Sequence, residues 1–175
     1  MRLQKLVGLT LVSLVCATAA SGLVVQAPAV SAPIVVAQAD TQYLQEVNTL
    51  LKGNREIARK IAMKMGIQSS STVPGTGDLA EQNNALIIRN QFLFRQISAK
   101  VGVDTPLIVP TNGTLIEQNH LMLRQNRIVV KAILEAMGME TSGAIPSTGS
   151  LVQQNRDLLL GNKESLMKIA SMLGI

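Results

Sequence analysis

Glu117 and His120 stand three residues apart, the spacing that sets a carboxylate and an imidazole on one helix face as paired metal ligands. A di-iron bundle needs two such pairs and two further glutamates, and His120 is the only histidine of the chain. Met63-Lys64-Met65 and Met137-Gly138-Met139 have the spacing of thioether copper ligands. The columns of Met65 and Met139 in the repeat set out below otherwise hold Val, Leu and Ile, so core filling is expected. Asn112-Gly113-Thr114 fits a glycosylation sequon but aligns with Thr-Gly-Asp and Thr-Gly-Ser, and reads as turn and cap. Aromatic residues make up 2% of the 175, with no Trp and one Cys (Cys16). Haem ligation, thiol catalysis and aromatic platforms for sugars or bases all lack their residues. One His and scattered carboxylates assemble no nucleophile–base pair. The expectation is no catalytic residue, no metal, no cofactor, and not an enzyme.

Two polar sets remain. Asn54, Asn90, Asn126 and Asn162 recur at one column, joined one heptad earlier by Asn83, Asn119 and Asn155. Carboxamides at core positions must be hydrogen-bonded, and four at one level can satisfy each other while fixing register. The alternative is a polar chamber for a small ligand or ion. Lys52, Arg55 and Arg59, like Arg124, Arg127 and Lys131, follow i, i+3, i+7 spacing and share a helix face. Such a face is ordinarily solvated, with cations favoured toward the helix C-terminus. The sharper reading is a ridge that binds anionic lipid or polysaccharide.

Both sets presuppose helices, and an internal repeat supplies them. PGTGDLAEQNN (74–84), PTNGTLIEQNH (110–120) and PSTGSLVQQNR (146–156) recur every 36 residues. Ile61, Ile97, Ile133 and Ile169 share a column, as do Gly66, Gly102, Gly138 and Gly174. Asp78, Thr114 and Ser150 are N-cap residues with Glu81, Glu117 and Gln153 three positions on, the capping-box spacing. Prolines and glycines precede each cap, and the Gly66 column supplies the C-terminal stop. The spacing predicts helices near 42–65, 79–101, 115–137 and 151–173. A seven-residue apolar period runs through each without a phase shift, which argues for one continuous helix per copy. The fold expected is all-α: four 36-residue repeats, each one long helix plus a Pro/Gly loop, packed as a four-helix bundle. The alternative is a helical-hairpin solenoid broken at Gly53-Asn54 and Gly161-Asn162. An up-down order is expected, with parallel helices and returning loops as the other solution. Val73, Val109 and Ile145 are expected to pack on helix ends.

Arg2 and Lys5 precede an apolar run, Leu6 to Cys16, and small residues, and no charge follows Lys5 until Asp40. Residues 1–39 therefore read as a secretory signal and apolar leader ahead of a four-repeat domain over 40–175. Small-x-small cleavage sites fall near Ala19 or Ala20 and after Ala39, the second favoured by Ala37 and Ala39 at its −3 and −1 positions. The copies fall at about 40–77, 78–113, 114–149 and 150–175. The alternative is a membrane anchor through residues 6–25. Removing Arg2 and Lys5 takes the net charge from +5 to +3. The function expected is that of an exported, periplasmic or extracellular, non-enzymatic structural or interaction module of the cell envelope. Its partner would be a protein or its own copies. The alternative partner is an anionic envelope lipid or glycan; nucleic acid is not expected.

Overall fold

Each repeat forms one unbroken helix because its caps and its apolar period agree. The computed structural model describes residues 32–175 apart from 71, 73, 74 and 142, with side chains from residue 41 onward. Four helices follow one another: α1 (Ala32–Lys64), α2 (Leu79–Lys100), α3 (Leu115–Ala136) and α4 (Leu151–Met172). The described residues contain no strand. Asp78 and Thr114 close full capping boxes with Glu81 and Glu117, and Ser150 accepts the backbone N–H of Gln153. At the other end Gly66, Gly102, Gly138 and Gly174 adopt φ of 74°, 82°, 76° and 68°. The next residue's N–H then reaches back into the last turn, as from Ile67 to Ala62 O at 2.8 Å and from Val103 to Ser98 O at 2.9 Å. Helices α1 and α4 run straight through Gly53 and Gly161, so no hairpin solenoid forms.

Helix α1 starts ten residues before the expected position 42. Nothing in 32–41 stops a helix: no Pro-Gly turn stands there, and Pro33 lies in the first turn, where its missing N–H is not needed. Cleavage after Ala39 would therefore fall inside α1. Most of the leader, including the candidate anchor 6–25, lies outside the described residues. Among those described, no helix is long and apolar enough to cross a membrane.

The helices close into a ring in which α1 packs on α2, α2 on α3, α3 on α4 and α4 on α1, while diagonal pairs stay apart. The up-down expectation is corrected here, because all four helices run in the same direction. Asn48 Nδ2 donates to Asn83 Oδ1 at 2.7 Å, and Asn84 Nδ2 to Asn119 Oδ1 at 2.8 Å. His120 Nδ1 meets Asn155 Oδ1 at 2.8 Å, and Asn155 Nδ2 reaches Tyr43 Oη at 3.4 Å. Every one of these residues sits near the N-terminal end of its repeat, which an antiparallel neighbour would not allow.

The core divides accordingly. One cluster gathers the C-terminal halves of all four helices around Ile61, Phe94, Ile97, Ile133 and Ile169. The other gathers the N-terminal halves around Leu51, Ile87, Leu123 and Leu159. Each fully buried Leu, Ile or Phe contributes about 1.5–3 kcal/mol. Parallel neighbours require each connection to travel back along a whole helix. The 14 residues between helix ends, as in 65–78, extend to about 45 Å, against about 33 Å for a 22-residue helix. Ile145 packs on the N-terminal cluster as expected, but Val109 is 44% exposed, and Val73 lies outside the described residues.

Candidate functional site

The central asparagines lie between the two apolar clusters. Asn54, Asn90, Asn126 and Asn162 are each 1% exposed. They do not satisfy one another, and that expectation is corrected. Asn54 Nδ2 donates to Leu159 O at 3.0 Å, and Asn90 Nδ2 to Leu51 O at 3.1 Å. A carbonyl carries two lone pairs, so these oxygens accept from a side chain as well as from the helix ladder. Asn83 Nδ2 repeats the pattern one heptad earlier, with Leu44 O at 2.9 Å. Each of these three amides therefore reaches three positions back along the preceding helix, a register lock that needs parallel neighbours. The Oδ1 atoms of Asn54, Asn90, Asn126 and Asn162 are buried and find no donor.

One heptad nearer the N-terminal end, a girdle of side chains joins each helix to the next. Asn48, Asn84 and His120 share a column with Arg156. Polar though this column is, Asn48 and His120 are buried and Asn84 half-buried. Asn155 Nδ2 points at Tyr43, so its Oδ1 accepts and His120 Nδ1 carries the proton. Burial pushes the Tyr43 hydroxyl above its ordinary range; the Asn155 bond opposes this and Glu46 adds to it. Between α4 and α1 the girdle ends in an ion pair, Arg156 Nε to Glu46 Oε1 at 2.7 Å. No group of three His, Cys, Asp or Glu is placed to hold a metal among the described residues. Met65, Met137 and Met139 pack on the C-terminal cluster, while Met63 is exposed.

The six basic residues read as a ridge do not form one continuous solvent face. Lys52 and Arg124 are exposed, but Arg55 and Arg127 are buried. Arg127 Nη1 donates to Gly161 O and to Ser165 Oγ on α4, each at 2.6 Å. Burial lowers its pKa, with nearby Glu164 opposing. Arg55 is lowered by burial and then by the charges of Arg89 and Arg59. Arg59 pairs with Glu56 at 3.4 Å. Long basic side chains at these spacings reach over the helix edge, where Arg127 meets α4 and Arg55 and Lys131 meet carbonyls of the returning loops.

Those carbonyls show where the loops lie. Arg55 Nη2 of α1 donates to Ser70 O at 2.9 Å, and Arg89 Nη1 of α2 to Thr72 O at 2.7 Å, so the first loop is held from both sides of the α1/α2 groove. In the second loop Arg95 Nε holds Thr105 O at 2.8 Å and Gln91 Nε2 holds Ile108 O at 3.1 Å. In the third, Lys131 Nζ reaches Gly143 O at 3.2 Å. No such segment covers the α4/α1 groove among the described residues. That groove holds an open cleft of about 550 Å³ lined by Ile57, Lys60, Lys163, Met167, Ala170 and Ser171. The corresponding cleft between α1 and α2, with loop residues 68–70 in its wall, is about 330 Å³. Residue composition alone hides this groove, because what sets it apart is the lack of a seated loop among the described residues.

No family model, no curated protein and no solved structure matches this chain.

Proposed function

We propose that the protein is an exported, non-enzymatic interaction module of the cell envelope, a rigid parallel bundle that presents a surface to a protein partner. The carrying observation is the use already made of its polar side chains. The repeated asparagines lock register, the basic residues hold loops and neighbouring helices, and the acidic caps close helix ends. What remains outside is scattered charge and a set of exposed apolar side chains, among them Met63, Leu121, Ile128, Met167 and Met172. Export is supported by the Arg2/Lys5 start, the apolar run after it and the small residues that follow.

An affinity pull-down from envelope extract of the native host, at low and high salt, tests this reading. A stoichiometric protein partner that survives high salt is the expected result. Capture of only anionic lipid or glycan, lost at high salt, would contradict it and return the exposed Lys52 and Arg124 to the centre of the account.

A further inference from the structure

We propose that the α4/α1 groove docks an extended, nearly uncharged, proline-containing segment of a partner protein, held as this chain holds its own returning loops. The inference rests on the interaction-module reading and names the surface and the kind of partner.

The fourfold repetition of the bundle is broken at one groove. Four helices of one repeat enclose four grooves, and the chain's connections run along three of them. Arg55, Gln91, Arg127 and Lys163 occupy one column. Arg55 and Gln91 donate to loop carbonyls, and the Arg127 Nη2 atom would lie 3.2 Å from a Cβ at loop residue Gly143. Lys163, the fourth member, is exposed and has no loop carbonyl to hold among the described residues. Ile57 and Lys60 of α1 are the counterparts of Leu93 and Gln96 of α2, and those two line the cleft in which loop residues 68–70 sit. Met167 matches Arg95 and Lys131, both of which grip loops, but it is apolar and 55% exposed. The open groove therefore keeps the floor and one donor of its relatives and offers more apolar surface.

The seated loops define what fits. They are nearly free of charge, rich in Val, Ile, Thr and Ser, and each carries a proline just before its glycine turn. They present backbone carbonyls to side-chain donors. An extended segment of that composition would give Lys163 its acceptor and cover Met167. Proline would lower the ordering cost of the bound conformation. The cleft of about 550 Å³ suits a few residues of such a segment.

Amide NMR on the full chain tests this, with a synthetic peptide of sequence VGVDTPLIVPTNG, the chain's own 101–113, as the probe. Linked loops sit at millimolar effective concentration, so a free copy is expected to bind with Kd of about 0.1–1 mM. Saturable shifts are expected at Ile57, Lys60, Lys163, Met167, Ala170 and Ser171, with a scrambled peptide at least tenfold weaker. Met167→Glu with Ser171→Glu, both at exposed positions, should weaken binding at least tenfold by repelling the segment's carbonyls, while Leu121→Glu elsewhere on the surface leaves it unchanged. No saturable shift, shifts elsewhere, or equal binding of the scrambled peptide would overturn the proposal. Two further outcomes would do so. Peptide-free shifts at these amides that grow with protein concentration would assign the groove to a second copy. Shifts there on deleting residues before Thr41 would assign it to the chain itself. Repeating the pull-down with the double variant separates this inference from the reading beneath it. A partner retained at full yield removes the groove but leaves the interaction module. Peptide binding without any captured partner does the reverse.

Discussion

Gly53 and Gly161 share a column, yet a methyl group should act in opposite directions at the two. A Cβ at Gly53 meets nothing within 4 Å, so Gly53→Ala should gain the usual helix preference of about 0.5–1 kcal/mol. A Cβ at Gly161 would stand 3.2 Å from Arg127 Cζ, on an arginine fixed by two bonds of 2.6 Å. Gly161→Ala should therefore lower stability in urea melts; a gain at both sites would show that Arg127 moves freely. The central asparagines give a second test. Each carries a buried oxygen without a donor, a defect worth about 1–3 kcal/mol against about 0.5–1.5 for the amide bond it accompanies. Asn90→Leu should raise stability by about 1 kcal/mol, and leucine at all four positions should raise it further while loosening register or oligomeric state. A less stable variant of unchanged oligomeric state would mean that the layer holds a guest. The asparagine column was plain in the sequence, but its partners were not. Mutual pairing and pairing to a neighbour's backbone put the same residue at the same core position, and only helix direction separates them.

At the scale of the element, the helix ends were legible because each is written in several residues at once. Thr114 with Glu117 shows the consequence. The backbone N–H and hydroxyl of Thr114 donate to Glu117 Oε2 at 2.7 and 2.8 Å, the backbone bond first in effect, and hold the carboxyl below its ordinary range. A depressed folded pKa adds stability that is complete above the unfolded value near 4.3 and lost as pH falls through the folded value. Glu117→Gln should therefore flatten the acid limb of a stability–pH curve below about pH 4.5 while leaving its neutral part nearly level. An unchanged acid limb would contradict the cap. Three further bonds went unread: Gln82, Gln118 and Gln154 each cap the preceding turn through the carbonyls of Gly77, Gly113 and Gly149 at 2.8–2.9 Å. The start of α1 was missed for the opposite reason, since no cap or turn marks it. The girdle was hidden because Asn48, Asn84, His120 and Arg156 do the same work with different side chains.

For the whole molecule, one direction shared by four helices decides most of what the repeat could not show. Parallel packing sets like helix ends side by side, each with about half an elementary charge. Asp78, Glu81 and Glu117 stand at the N-terminal ends, and Lys64 and Lys100 in the last turns, so the charge pattern opposes that penalty. The same geometry turns the connections into groove fillers and leaves the α4/α1 groove without one among the described residues. The spacing of core positions reads the same in both directions from the central asparagine, so hydrophobic periodicity alone could not choose between directions. Disulfide trapping in a Cys16→Ser background tests the choice most directly. Asn48→Cys with Asn83→Cys should cross-link rapidly within one chain, since these side chains meet at 2.7 Å. Asn48→Cys with Gln96→Cys, its mirror position across the asparagine layer, should not. Trapping of the second pair and not the first would mean antiparallel neighbours, and would contradict the ring, its register locks and the open groove together.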